Sequence, residues 1–186
     1  MRVLKAAIAG LCACITAGCA TSGAPPEAFH AGLNQPYQLD AGDRVRVTVF
    51  EQESLTNAYA VDKAGYLAFP LIGKVPARGR TTEDVRTAIA GALRNGYLRD
   101  PDVSVEVDQY RPFFVMGEIA TGGQYSYVPG MTAQNAVAIA GGFTSRADRR
   151  TVDITRQVNG KIVTGRVLVS DPVLPGDTVS VRERLF

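Results

Sequence analysis

"YQLDAGDRVRVTVF", residues 37–50, opens the folded part of the chain and sets its character. From Arg44 onward the residues alternate, with Val45, Val47 and Val49 on one side and Arg44, Arg46 and Thr48 on the other. Strand side chains point to opposite faces in turn, so this period of two predicts a half-buried strand. The signature recurs in "DVSVEV", residues 102–107, through Val103, Val105 and Val107. Between the two the period changes. Val85, Ile89, Ala92 and Leu93 follow helical spacing, Thr81 can cap the free N–H groups with Asp84 at the reciprocal position, and Asn95-Gly96 ends the run. "YAVDKAGYLAFP", residues 59–70, predicts two short strands around a turn at Asp62 to Gly65. A few strands packed on one helix make an α+β unit.

A second unit of the same kind begins near Tyr110. "PFFVMGEI" predicts an apolar strand that places at least one of Phe113 and Phe114 in a core. "GGQYSYVPG" turns the chain, and a helix is expected from Thr132 to Ala140. "TVDITRQ", the turn "VNGK" at 158–161 and "IVTGRVLV" predict a hairpin. Two echoes link the units: Ala41-Gly42-Asp43 and Pro175-Gly176-Asp177 each open a strand, and "AIAG" closes both helices. The echoes are too loose to define a repeat. The expected fold class is α+β, two small domains at residues 36–109 and 110–186.

The first 35 residues read differently. Arg2 and Lys5 precede an uncharged, mostly apolar run from Ala6 to Thr16, and small residues Ala17 and Gly18 lead to Cys19. This is the pattern of a lipoprotein signal peptide, residues 1–18, with Cys19 as the lipidated residue. Cys14 would leave too short an apolar run after Lys5. All 3 cysteines fall in or at the end of this segment, so disulfide and thiol chemistry are not expected of the mature domains. Residues 19–35, small, polar and proline-bearing, suit a tether. The chain of 186 residues carries 20 Lys+Arg against 18 Asp+Glu, which gives no polybasic footprint for nucleic acid. No other run approaches the roughly 20 apolar residues of a membrane-crossing helix.

Enzymatic chemistry finds little support. No G-x-S-x-G and no paired Cys/His ligand spacing occurs, and the single histidine, His30, lies in the tether. Glu51/Glu53 and Glu106/Asp108 could flank a glycosidic bond, which needs carboxylates about 5–9 Å apart. They read more simply as the wet side of half-buried strands. No catalytic residue, metal site or cofactor is expected.

Gly141-Gly142 could suggest a phosphate cradle. Such loops precede a helix, where backbone N–H groups and the positive dipole end meet the anion. These glycines follow a helix, at its carbonyl-rich end, and read as a left-handed cap. Arg146, Arg149 and Arg150 beyond them are either solvated or turned toward a polyanion or an interface. Tyr125 and Tyr127, at i and i+2, would share a face of an extended segment and could stack on sugar or pack with their hydroxyls wet.

Taken together these motifs resemble the outer-membrane polysaccharide export family across residues 36–186. "YQLDAGDRVRVTVF", "VDKAGYLAFPLIGKVPARGRTTEDV" and "GYLRDPDVSVEV" are similar to its polysaccharide-export domain. "RPFFVMGEIATGGQYSYVPGMTAQNAVAIAGGFTSRADRR" and "VLPGDTVSVRERLF" are similar to its soluble-ligand-binding β-grasp (SLBB) domain. The resemblance implies a lipid-anchored protein of the outer membrane, facing the periplasm, that assists polysaccharide export without covalent chemistry. It implies a ring-like homo-oligomer meeting an inner-membrane polysaccharide co-polymerase. Larger members add a C-terminal pore helix; this sequence stops at Phe186 and resembles the short, xanthan-exporter-like members, which implies a separate outer-membrane β-barrel as conduit. Arg146, Arg149, Arg150, Tyr125 and Tyr127 are then the expected polymer or interface contacts. The alternative is a periplasmic scaffold lipoprotein binding a small soluble ligand or glycan.

Overall fold

The computed structural model describes Phe29, residues 35–158 and residues 160–184. The expected signal peptide, Cys19 and His30 lie outside the described residues.

The first unit comprises β1 (Arg44–Val49), β2 (Asn57–Ala60), β3 (Tyr66–Phe69), β4 (Gly73–Pro76), α1 (Thr82–Arg94) and β5 (Val103–Gln109). β1 is the middle strand of an antiparallel sheet ordered β2-β1-β5. Val45, Val47 and Val49 are buried, and Arg44, Arg46 and Thr48 face solvent. Each valine withdrawn from water contributes about 1.5 kcal/mol or more. Asp108 on the wet face of β5 pairs with Arg46 at 2.9 Å, so this carboxylate sits in an exposed cross-strand ion pair. α1 starts with the expected box: Asp84 N donates to Thr81 Oγ1 at 3.1 Å and Thr81 N to Asp84 Oδ2 at 2.9 Å. Its buried side chains Val85, Ile89, Ala90 and Leu93 close the core over β5 and β4.

Two details differ from expectation. Residues 59–70 do contribute two strands, but β2 belongs to the main sheet and β3 pairs with β4 in a separate hairpin. β4 escaped prediction because Val75 is the only apolar side chain in Gly73–Pro76 that is buried. The hairpin turns through Leu71 at φ 67°, a left-handed conformation that its side chain does not advertise.

The second unit comprises β6 (Phe113–Gly117), β7 (Gly123–Tyr125), α2 (Ala133–Ile139), β8 (Thr151–Val158), β9 (Lys161–Leu168) and β10 (Thr178–Val181). These strands form one sheet ordered β7-β6-β10-β8-β9, with β10 parallel to β6 and antiparallel to β8. Phe113 is buried and Phe114 exposed, as the pleat requires of neighbours. α2 covers the sheet with Ala133, Ala136 and Val137, small side chains that allow a close approach. The glycine pair behaves as the sequence suggests. Gly141 and Gly142 have φ of 84° and 90°, Gly142 N donates to Val137 O, and Gly141 N to Ala138 O, which together form a Schellman cap.

Phe29 departs from the expected tether. It is buried in the second unit's core, so at this residue the chain is packed rather than free. Among the described residues no helix is long and apolar enough to cross a membrane, and no cluster of three or more His, Cys, Asp or Glu could hold a metal ion.

Candidate functional site

The arginine loop folds against the end of the second sheet. Ala147 bridges Glu183, Asp148 N donates to Arg182 O at 2.8 Å, and Arg184 N donates to Arg146 O at 2.7 Å, so the loop runs beside the segment after β10. Asp148 fixes the loop's shape: it accepts from Arg150 N at 2.8 Å and from the Thr151 hydroxyl at 2.7 Å. Those hydrogen bonds, the Thr151 hydroxyl first, hold its carboxyl below the usual carboxylate range. The result is a cleft of about 700 Å³ whose walls carry Arg149, Arg150, Arg166, Arg182 and Arg184. Asp148 and Glu183 lie in the same walls. Asp153, placed opposite Arg166 across β8 and β9, binds the Arg182 guanidinium and lies 3.5 Å from Arg166 Nε.

A second polar assembly joins the two units, and it is built on the Gly-Asp echo. In each copy the aspartate N–H donates to the carbonyl three residues back, at 3.1 Å from Asp43 to Asp40 and 3.1 Å from Asp177 to Leu174. In each the residue three back returns its own N–H to the carboxylate, Asp40 N to Asp43 Oδ2 at 2.8 Å and Leu174 N to Asp177 Oδ2 at 2.7 Å. Both carboxylates are buried and each meets an arginine. Asp177 takes a two-pronged bond from Arg156 at 2.9 and 2.7 Å. Asp43 accepts the Arg111 N–H at 2.7 Å and the Arg111 guanidinium at 3.2 Å. Burial pushes the Asp177 carboxyl up, against the opposing pull of Arg156.

Tyr37, Tyr110 and Tyr127 stack edge-on beside Arg111, with ring centroids 4.9 and 5.5 Å apart. The Tyr37 hydroxyl donates to Asp43 Oδ2 at 2.7 Å and accepts from Arg111 at 2.9 Å. Burial drives its pKa well above the ordinary tyrosine value. Arg156 also donates to Phe29 O at 2.8 Å and to Pro172 O at 3.2 Å, so it ties Phe29 to the second unit. Sequence reasoning missed both arginines. One signal was available for Arg156: it shares strand parity with the buried Val152 and Ile154.

The structure gathers only some of the expected site residues. Arg149 and Arg150 line one cleft. Arg146 lies beside it, held by Glu118 at 3.3 Å and Glu183 at 3.6 Å. Tyr125 and Tyr127 are elsewhere and face inward. Tyr125 packs 6.0 Å from Phe113 with its hydroxyl on Thr121 O, while Tyr127 belongs to the junction between units. β7 ends at Tyr125, so the two tyrosines do not share one strand.

Residues 31–108 match the family described as polysaccharide biosynthesis/export protein, and residues 112–166 match the SLBB domain. The chain is 38% identical over 124 residues to the exopolysaccharide production protein ExoF of Rhizobium meliloti (strain 1021), an overlap of 60% of this chain and 29% of that protein. It is 28% identical over 184 residues to the EPS I polysaccharide export outer membrane protein EpsA of Ralstonia solanacearum, covering 80% of this chain and 48% of the relative. The chain therefore spans half or less of the length of these relatives. An export-family unit followed in order by an SLBB unit, each with its own core, and this likeness to exopolysaccharide production and export proteins lead to one assignment: the chain carries a polysaccharide biosynthesis/export domain and an SLBB domain.

Proposed function

We propose that this protein is a lipid-anchored component of a polysaccharide export machine, held at the outer membrane through Cys19 and facing the periplasm. Residues 1–18 act as its signal, the stretch from Cys19 up to the packed Phe29 as its tether, and 36–109 and 110–186 as its two working units. It assembles as a ring-like oligomer that connects an inner-membrane co-polymerase with an outer-membrane β-barrel. Its role is to guide polymer, without covalent chemistry.

The observation that carries this reading is the match of both units, in order, to the export-family and SLBB domains. The junction supports it physically. Charge-assisted bonds from Arg111 to the buried Asp43 and three edge-on tyrosines hold the units in one relation, which suits a part that must present a fixed surface to neighbours. The test is deletion of the gene in a polymer-producing strain. Synthesis of repeat units should continue while surface polysaccharide falls; unchanged surface polysaccharide refutes the reading. Metabolic labelling with a fatty-acid analogue should tag the wild-type chain and not Cys19→Ala.

A further inference from the structure

The arginines around the 144–150 loop divide into two groups. Arg166 and Arg182 face Asp153, and Arg146 faces Glu118 and Glu183. Arg149, Arg150 and Arg184 have no carboxylate partner among the described residues, yet all three line one cleft. Collecting like charges on one concave surface is unfavourable until a counter-anion joins them. The loop is not free to disperse them, because Asp148 pins Arg150 N and Thr151 and the neighbouring backbone pairs with Arg182.

The chemistry of the walls narrows the anion. Guanidinium forks match planar carboxylates with two parallel bonds. Asp148 and Glu183 stand among them, and a carboxylate keeps acceptor capacity beyond its first partners. Such acceptors repel a densely charged polyanion but welcome hydroxyl groups. A ligand with spaced carboxylates set among hydroxyls fits both kinds of wall. The volume, about 700 Å³, is that of an ordinary ligand cleft.

We infer that this cleft holds carboxylate-bearing sugar units of an acidic polysaccharide. Arg149, Arg150 and Arg184 grip the carboxylates, and Asp148 and Glu183 accept hydrogen bonds from sugar hydroxyls. The inference rests on the export reading and names the polymer chemistry of that role.

Calorimetry on the full chain tests it with four probes: oligogalacturonate, its methyl ester, polyglutamate and tripolyphosphate. Oligogalacturonate should bind best, and esterification should weaken it about tenfold or more, because charged hydrogen bonds are lost while the sugar remains. Arg149→Gln/Arg150→Gln should show a similar loss with an unchanged melting profile, since both side chains are exposed. Arg149→Lys/Arg150→Lys, which keeps charge without the fork, should fall between. Equal binding of the ester, or no binding of oligogalacturonate, overturns the inference. Polyglutamate binding as tightly overturns it in favour of an acidic protein segment, and tripolyphosphate doing so reduces the cleft to a general anion trap. Complementation separates the two levels. Unchanged polymer on deletion sinks the export reading and this inference together. A deletion phenotype fully restored by Arg149→Gln/Arg150→Gln, in a strain making a carboxylated polymer, sinks the cleft alone.

Discussion

Replacing Arg156 by methionine should destabilise the protein by about 3–5 kcal/mol, the cost of stranding one partner of a buried ion pair. The magnitude follows from what the guanidinium satisfies. Its side chain is 7% exposed and that of Asp177 is 1% exposed. Two of its bonds go to Asp177, one to Phe29 O and one to Pro172 O. Methionine fills much of the volume but donates nothing. Asp177 would keep only the Leu174 N–H, and two carbonyls would lose a donor.

The deficit should narrow as the pH falls below neutrality. A buried carboxyl without its cation has a raised pKa, so protonation relieves the strain from the acid side. Adding Asp177→Asn removes the stranded charge and retains an acceptor for Leu174, and should recover about 1–3 kcal/mol of the loss. Urea unfolding near pH 7.5, followed by far-UV circular dichroism because the chain has no tryptophan, measures wild type, the two single variants and the double. A loss under about 1 kcal/mol for the single variant, or strict additivity in the double, would refute the view that this pair organises the second unit.

Two further outcomes can be checked alongside. Gly117→Ala should cost several kcal/mol or prevent folding, because φ is 93° and a Cβ there would lie 2.0 Å from Val181 O in the parallel partner strand; thermal melts read this directly. Tyr37 has a raised pKa through burial, so its contribution is intact below its unfolded value near 10 and is lost as the pH rises above that. Wild type should therefore lose up to about 1.4 kcal/mol per pH unit above roughly 10 that Tyr37→Phe does not lose, and parallel stability curves for the two proteins between pH 9 and 11 would contradict it.

Much of the fold was legible because it rests on local periodicity. The valines of β1 and β5, and the Thr81–Asp84 box of α1, state their roles within a few residues. β4 and its Leu71 turn were silent, since a strand with one buried apolar residue carries no pattern and nothing marks a non-glycine residue at positive φ. The candidate site was half legible. Arg149 and Arg150 were visible as a run of charge, but Arg166, Arg182 and Arg184 reach the same cleft from other strands and strand ends. Strand alternation alone does not place Tyr127, because β7 stops at Tyr125; both rings pack against the second unit's core. The Gly-Asp echo carried more than its three letters suggested. Its second half of meaning, an arginine for each buried aspartate, lies 68 and 21 residues away in the chain.

Arg111 passes between the two Gly-Asp turns, and its position limits how this sequence can drift. A Cβ at Gly176 would lie 2.8 Å from Arg111 Nε, and one at Gly42 would lie 3.4 Å from Arg111 Cβ. A side chain at either glycine would strain a backbone held at φ of 93° or 85°, and at Gly176 it would also crowd Arg111. A smaller residue at 111 would make room but abandon Asp43 in the interior without its cation. Loss of Arg111, or a side chain at Gly42 or Gly176, is therefore destabilising on its own. Residues 43, 111 and 176 are thus coupled through one side chain, and a change at any of them is felt at the other two.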